Sequence, residues 1–386
     1  MRLSPENVDN DVTSIKKLAF LTPLLISLLP MLSVAVAQSA SISLIMIGLT
    51  PFVLFVIIPA LDWIIGRDSS NPPAVASASL ATQRYYRWLP MLCLPAYLST
   101  LLYGAWIIGN EPMSPLMMLG WTISIGLIGG IVAINPAHEL IHKSTTLERA
   151  IGGTLLATVS YGTFKVEHIA GHHVDVATPK DLTTARLGQN VFDFVAHSIR
   201  QNPIRALKLE QARCARRGQQ WHWYTSESIG WSVVSASLVA LCIWIVSRAT
   251  LHAPWVGGVY FLTQSFVAVA LLEIVNYIEH YGLTRRSSVA ADGSNQFERV
   301  NHLHSWNADF ALTNALLFQL QRHSDHHAHG FRRYQALRHH ADSPQLPAGY
   351  ATMILLALVP PLWFRVMNPR VPKHQQSSRT SSRAAP

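Results

Sequence analysis

The sequence predicts an all-α integral membrane protein: six transmembrane helices in three hairpins, with a cytoplasmic histidine-rich cap on one face. Three observations carry this. Hydrophobic residues make up 49% of the 386 residues and charged residues only 13%, where soluble domains usually carry about 25% charge. Six apolar runs reach the roughly 17 to 25 residues that a helix needs to cross a ~30 Å hydrocarbon core. The basic residues gather on one side of those runs.

The runs occupy residues 17–37, 41–65, 88–109, 115–137, 229–249 and 254–278. The first follows the basic pair Lys16 and Lys17, as a signal peptide would, but it is too long and ends in only a weak cleavage site, Ala35-Val36-Ala37, so it reads as a membrane helix. Connections after the first, third and fifth runs are a few residues long, which makes those neighbours antiparallel hairpins. The short loops at Gln38, Asn110 to Ser114 and Ala249 to Ala253 hold no Lys or Arg. Lys16, Lys17, Arg67, Arg84, Arg87, Lys143, Arg149, Arg285 and Arg286 fall on the opposite side, so both termini and the long loops are expected in the cytoplasm and the protein in the bacterial inner membrane. One membrane-embedded domain is expected over 1–370, its cap formed by 138–228 and 279–370, followed by a disordered tail over 371–386. Within the cap, the apolar stretch from Gly152 to Phe164 is too short to span and is expected against the interface. Trp63, Tyr86, Trp88 and Trp255 read as anchors at the membrane boundary.

Composition also excludes functions. The formal charge of +9 suits nucleic acid, but the cations form no basic stripe interleaved with aromatics, so no nucleic-acid partner is expected. Cys93, Cys214 and Cys242 stand far apart, which removes disulfide frameworks and thiolate clusters. A metal must be held by nitrogen or oxygen.

Histidine supplies the nitrogen. Nine of the 18 histidines fall in four groups: His138 and His142; His168, His172 and His173; His280; and His323, His326 and His327. The seven residues from His323 to His329 hold four histidines, where chance would give about 0.3, a bias that marks metal binding. Residues four apart share one helical face, so His138 with His142, and His168 with His172, are each expected to grip one ion. Adjacent pairs diverge by about 100°, so His172 and His173, or His326 and His327, can serve neighbouring ions. Nine ligands are too many for one ion and suit two, and neutral imidazole suits iron among other metals. By the span assignment, all four groups emerge on one side of the membrane. Glu139, Glu167, Asp181, Glu279 and Asp325 lie beside the ligands and are expected to orient imidazole tautomers.

Other readings explain less. His138-Glu139-Leu-Ile-His142 is also the signature of a zinc metalloprotease, but it leaves seven histidines idle. Transport or haem sites usually place their ligands within the spans. His302 and His304 read either as supports of the cluster or as surface residues, and His197, His222, His252, His339, His340 and His374 as solvated or interfacial. The basic stretch Arg205 to Arg217 reads as a solvated or headgroup-facing helix, or as a surface for an acidic protein.

The segments Asn71-Pro-Pro73, His138-Glu-Leu-Ile-His142-Lys143, Glu167-His-Ile-Ala-Gly-His172-His173, Ala177-Thr-Pro-Lys-Asp181, Asn276-Tyr-Ile-Glu-His280-Tyr-Gly-Leu283, His304-Ser-Trp-Asn307 and Leu320-Gln-Arg-His323-Ser-Asp-His326-His327 together resemble the alkane 1-monooxygenase family, a branch of the membrane histidine-box desaturases and hydroxylases. The likeness runs over residues 50 to 370. It implies that the nine histidines hold two non-haem iron ions, and that the reaction is terminal hydroxylation of a medium- to long-chain n-alkane by O2. It further implies electrons from rubredoxin, with a rubredoxin reductase upstream. Methyl-aromatic, terpene or fatty-acyl substrates are the alternative within the same chemistry. The chain departs from the family pattern at Ala308-Asp309 and at Gly330-Phe331, neither of which is a proposed ligand.

Overall fold

The computed structural model describes residues 15–73, 79–289 and 295–372. The expected tail from 373 onward, with His374, lies outside the described residues.

Two helices stand where the first span is expected. Helix α1 (Ile15–Ile26) and α2 (Leu29–Ala40) meet at 61°. Pro30, at the start of α2, has no N–H and its ring collides with the carbonyl four residues back, so the ladder breaks and restarts. Helix α3 (Leu44–Ile65) returns beside α2, and Ser33 Oγ donates to the Met46 carbonyl at 3.1 Å. Helices α4 (Arg84–Asn110) and α5 (Pro115–Ile141) form the next hairpin, with Ser114 capping α5 through the Met117 N–H. The long segment that follows holds α6 (Thr146–Ala157), α7 (Phe164–Glu167 continuing through His168–His172 and His173–Asp175) and α8 (Val191–Arg216). The last hairpin is α9 (Glu227–Ser247) and α10 (Trp255–His280). Among the described residues five helices are long and apolar enough to cross a membrane, or six if the bent pair counts as one.

Burial sorts these helices by depth. In their most apolar stretches α5 is 67% buried inside the protein and α10 50%, whereas α3 is 22% and α9 17%. Helix α4 is also 50% buried; α5 and α10, which pack most extensively on each other, are the two central helices, and α3 and α9 turn apolar faces outward, as lipid-facing helices do. At the centre a Cβ on Gly126 would stand 2.6 Å from the Gln264 carbonyl oxygen of α10, so only glycine lets the two backbones approach this closely. Both central helices end, C-terminally, at the same end of the bundle, and that is where the histidines lie.

The stretch from Gly152 to Phe164 does not lie on the interface as expected. Leu155, Leu156, Ala157, Val159 and Phe164 are buried, because α6 packs on the end of α5 and on α9. Tyr86 is likewise buried, edge-on to Phe20 and Tyr334, whereas Trp63, Trp88 and Trp255 are exposed as boundary anchors would be. Beyond α10 come a short antiparallel hairpin, β1 (Ser287–Val289) with β2 (Asn295–Phe297), and helices α11 (Ala311–Leu316), α12 (His323–Ala328), α13 (Tyr350–Ala357) and α14 (Pro360–Met367). The all-α expectation missed the small hairpin. Tyr277 and Tyr281 of the α10 end form a second apolar core with Trp306, Tyr350, Met353 and Trp363, which fixes the cap to the bundle.

Candidate metal centre

Helix α5 carries two of the nine histidines to the end of the bundle. A π turn over Gly130–Ile134 precedes Pro136, whose missing N–H and bulky ring displace the hydrogen-bond ladder by one residue, a common device near functional sites. From there His138 and His142 point the same way. Helix α7 is π-wound over His168–His172, and α12 carries His323, His326 and His327.

All nine gather into two groups. His138, His142, His168, His173 and His326 converge, as do His172, His280, His323 and His327, with one ligand nitrogen from each residue within 4.8 Å of every other in its group. Spacing four thus holds for His138 with His142 and for His323 with His327. It fails for His168 and His172, which serve different groups: the π turn brings residues five apart onto one face, so His168 pairs with His173. The adjacent pairs His172/His173 and His326/His327 divide between the groups, as their angular divergence requires.

The nitrogens are spaced for coordination. In the first group Nε2 atoms of His142 and His168, of His168 and His173, and of His173 and His326 are 3.1, 3.1 and 3.2 Å apart. In the second, Nε2 atoms of His172 and His327, His280 and His323, and His323 and His327 are 3.1, 3.1 and 3.0 Å apart. Ligands at right angles on a metal–nitrogen bond of about 2.1 Å would be roughly 3.0 Å apart. His172 donates Nδ1–H to Asp181 at 2.9 Å, which turns its Nε2 toward the other ring nitrogens. Burial first, and the neighbouring imidazoles second, hold His142, His168, His173, His323, His326 and His327 well below the ordinary histidine value, so these rings are neutral donors. Converging lone pairs repel unless a cation lies between them, and Nε2 of buried His138 has no hydrogen-bond partner. The donor set fits two cations that prefer imidazole.

The five carboxylates divide by what they touch. Asp181 accepts from His172 Nδ1 and from Thr184 Oγ at 2.6 Å, and Thr183 Oγ contacts both. Burial alone would lower His172, but the Asp181 charge and hydrogen bond outweigh it and raise the ring, while His172 in turn holds Asp181 low against its own burial. Glu279 places Oε2 3.3 Å from His323 Nε2 and accepts from the Tyr350 hydroxyl at 2.7 Å. Asp325 accepts from Arg332 at 2.6 Å, from His340 Nε2 at 3.0 Å and from the Arg338 N–H at 3.0 Å, and so anchors α12 to its surroundings. Glu139 pairs with Lys143 at 2.8 Å and accepts from the Tyr334 N–H. Glu167 is fully buried with Arg205 3.6 Å away, and burial, then the Asp181 charge, pushes it up to about 7. The zinc-protease reading needs Glu139 free to act as a base and a site of two histidines plus one ligand; the engaged Glu139 and the five-histidine group fit it poorly.

Several residues at the centre were not singled out from sequence. Arg205, read as part of a solvated stretch, instead turns inward to Asp175 at 2.6 Å and to the Lys180 carbonyl at 2.7 Å. Tyr350 and Thr183 gave no signal. Glu273 did: it is an acid inside an apolar span, the kind of residue that is functional by default. It is fully buried and accepts from the Tyr161 hydroxyl at 2.5 Å and from Asn276 at 3.2 Å. His339 and His340, expected to be solvated, contact the buried carboxylates Asp309 and Asp325, whereas His197 and His222 are exposed.

An apolar cavity descends through the bundle to this centre. His138, His323 and Glu279 line its floor, and Leu54, Ile131, Leu271, Val275, Leu316 and Ile354 are among its walls.

Residues 113–357 match the fatty acid desaturase family, which sets the class of this helical protein, with its apolar helices and its two histidine clusters able to hold metal. The chain is 47% identical over 320 residues to alkane 1-monooxygenase 1 of Pseudomonas aeruginosa (82% of this chain, 81% of the relative) and 46% identical over 321 residues to alkane 1-monooxygenase 2 of Alcanivorax borkumensis (82% and 81%). It is 26% identical over 271 residues to the xylene/toluene monooxygenase hydroxylase component of Pseudomonas putida (69% of each). The chain belongs to the alkane 1-monooxygenase family.

Proposed function

We infer that this chain hydroxylates the terminal carbon of medium- to long-chain n-alkanes. The observation that carries the reading is the apolar cavity whose floor is made of metal-directed histidines from both groups. The balance is alkane, O2, two electrons and two protons to 1-alkanol and water. Two iron ions, one held by His138, His142, His168, His173 and His326 and the other by His172, His280, His323 and His327, would supply the oxygen activation that no side chain can provide.

The chain's own residues do the rest. The cavity walls offer an alkane no polar partner except at the floor, so the substrate is selected by shape and its end is presented to the metals. Leu54 and Ile354 are buried apolar walls of the cavity, so nothing along its length competes with the alkane by hydrogen bonding. Asp181 fixes the tautomer of His172 so that Nε2 faces the metal. Glu279, held by Tyr350, lies where the cavity meets His323 and can hold a proton next to the reacting end of the substrate.

Electrons must come from outside, since no pair of cysteines in this chain could hold a redox cluster; rubredoxin, reduced by its reductase, is the donor we propose. Six spans in three hairpins, with the cap over 138–228 and 279–370 in the cytoplasm of an inner membrane, follow from the distribution of Lys and Arg. The deciding experiment is purification in detergent with metal analysis, then product analysis over a series of n-alkanes with rubredoxin and its reductase supplied. Two irons per chain and 1-alkanols are expected. Stoichiometric zinc with no alcohol from any alkane would overturn the reading.

A further inference from the structure

Outside the nine-histidine centre, one more group of side chains among the described residues brings metal-ligating atoms together: His302, His340 and Asp342, with one ligand atom from each within 4.8 Å of the others. We propose that these three residues form a separate surface site for a divalent cation of the zinc class, completed by water.

Three features support a built site. The loop that supplies two of the ligands is pinned: Ser343 Oγ donates to the His340 carbonyl at 2.6 Å, Asn307 donates to Ser343 Oγ at 2.6 Å, and the His339 N–H donates to Asn71 at 2.7 Å. The third ligand rises from a turn closed by the Leu303 N–H to Asn301 Oδ1 at 2.9 Å. Little ordering is therefore left for a cation to impose. Second, His340 shares its Nε2 with Asp325 at 3.0 Å. A histidine whose one ring nitrogen donates to a carboxylate presents the other as a more basic donor, the arrangement that orients metal-bound imidazole. Third, the His302 and His340 rings lie face to face, with centroids 4.9 Å apart and planes at 10°, and His302 Nε2 is 2.7 Å from Asp342 Oδ2. Tetrahedral zinc with bonds near 2.0 to 2.1 Å separates its ligands by roughly 3.3 Å, so one of the two parallel rings must turn out of the stack to bring its lone pair onto a shared ion, a turn that the open side at Asp342 leaves room for. Two imidazoles and one carboxylate favour zinc, copper or nickel over calcium or magnesium.

The site is half-buried at the histidines and open at Asp342, so an ion enters from solvent without passing the cavity. It connects to the histidine centre through His340 and Asp325, the carboxylate between ligands His323 and His326. The inference does not depend on the identity of the substrate.

The test uses the iron-loaded, full-length protein in detergent, dialysed against increasing zinc sulfate, with zinc and iron both quantified. One zinc per chain beyond the iron is expected, with roughly tenfold or greater weakening in His302→Ala and in Asp342→Asn and iron content unchanged. Asp342 is fully exposed, so its variant keeps the fold and decides the matter should His302→Ala lose iron. No saturable zinc, zinc taken up only as iron is lost, or uptake unaltered in Asp342→Asn would each overturn the proposal.

Discussion

Replacing Gly130 with Val should shorten the longest n-alkane this chain hydroxylates. Gly130 is the cavity-lining residue of α5 farthest from His138, as Leu271 is on α10 from Glu279 and Leu54 is on α3 from its C-terminal end. These three form the ceiling. Eight residues separate Gly130 from His138, a rise of about 12 Å along the helix. Carbon–carbon bonds near 1.5 Å advance an extended chain by roughly 1.25 Å each, so floor to ceiling accommodates about nine or ten carbons. A Cβ on Gly130 would stand 2.6 Å from Leu271 Cδ2, so any side chain there presses the ceiling down, and a Val, reaching about 2.5 Å from its Cα, removes room for about two carbons. One methylene without room in an apolar pocket costs about 1 to 3 kcal/mol. The ratio of kcat/KM for decane to that for octane should therefore fall at least about tenfold. Leu271→Ala raises the ceiling and should move the optimum toward longer chains. The assay is gas-chromatographic analysis of 1-alkanols from alkanes of increasing length. If Gly130→Val slows every chain length in parallel and Leu271→Ala leaves the profile unchanged, the ceiling is elsewhere and the reasoning fails.

Three other expectations follow from the centre and its supports. Asp181→Asn keeps shape but removes the charge behind the His172 hydrogen bond, so affinity for one iron should fall about 10- to 100-fold; two tightly held irons in the variant, by metal analysis, would remove Asp181 from that role. His280→Ala should abolish alcohol formation and lower bound iron, whereas His197→Ala, at an exposed position, should leave both unchanged; a fully active His280→Ala would strike that residue from the ligand set. Burial acts to raise Glu148, but Arg333 at 2.9 Å, Thr145 and Arg87 outweigh it and leave the carboxyl below its ordinary value. Its stabilising effect is thus present at neutral pH and disappears as pH falls through that lowered value, below about 4.3. Glu148→Gln should accordingly lower the melting temperature at pH 7, with a gap to the parent protein that closes in acid; a gap independent of pH would contradict the ion pairing.

The central helices were legible because the signal is long: twenty apolar residues in a row leave little choice, and the ends of α5 and α10 fall within a few residues of expectation. Shorter elements were not. Helices α13 and α14 have eight residues each, too few for a periodicity to stand out from the mixed sequence around them. The bend between α1 and α2 was encoded by Pro30, but a run judged by hydropathy alone conceals it. Membership of the nine histidines in one centre was readable from clustering. Their division was not, because spacing four assumes an α-helix, and Gly171 with its neighbours adopts a wider winding where it packs against Leu209 and Arg205 of α8. The contact of His340 with Asp325 is not legible for a simpler reason: the two are fifteen residues apart, and no local pattern joins them.

The winding of α7 has a mechanical corollary. A single rigid stretch of six residues reaches into both groups, and α12 does the same, so neither cradle can relax without dragging the other. Loading of the pair should be cooperative, with chains carrying one ion scarce at every intermediate supply of iron, and with the second ion departing readily once the first has been stripped by a chelator.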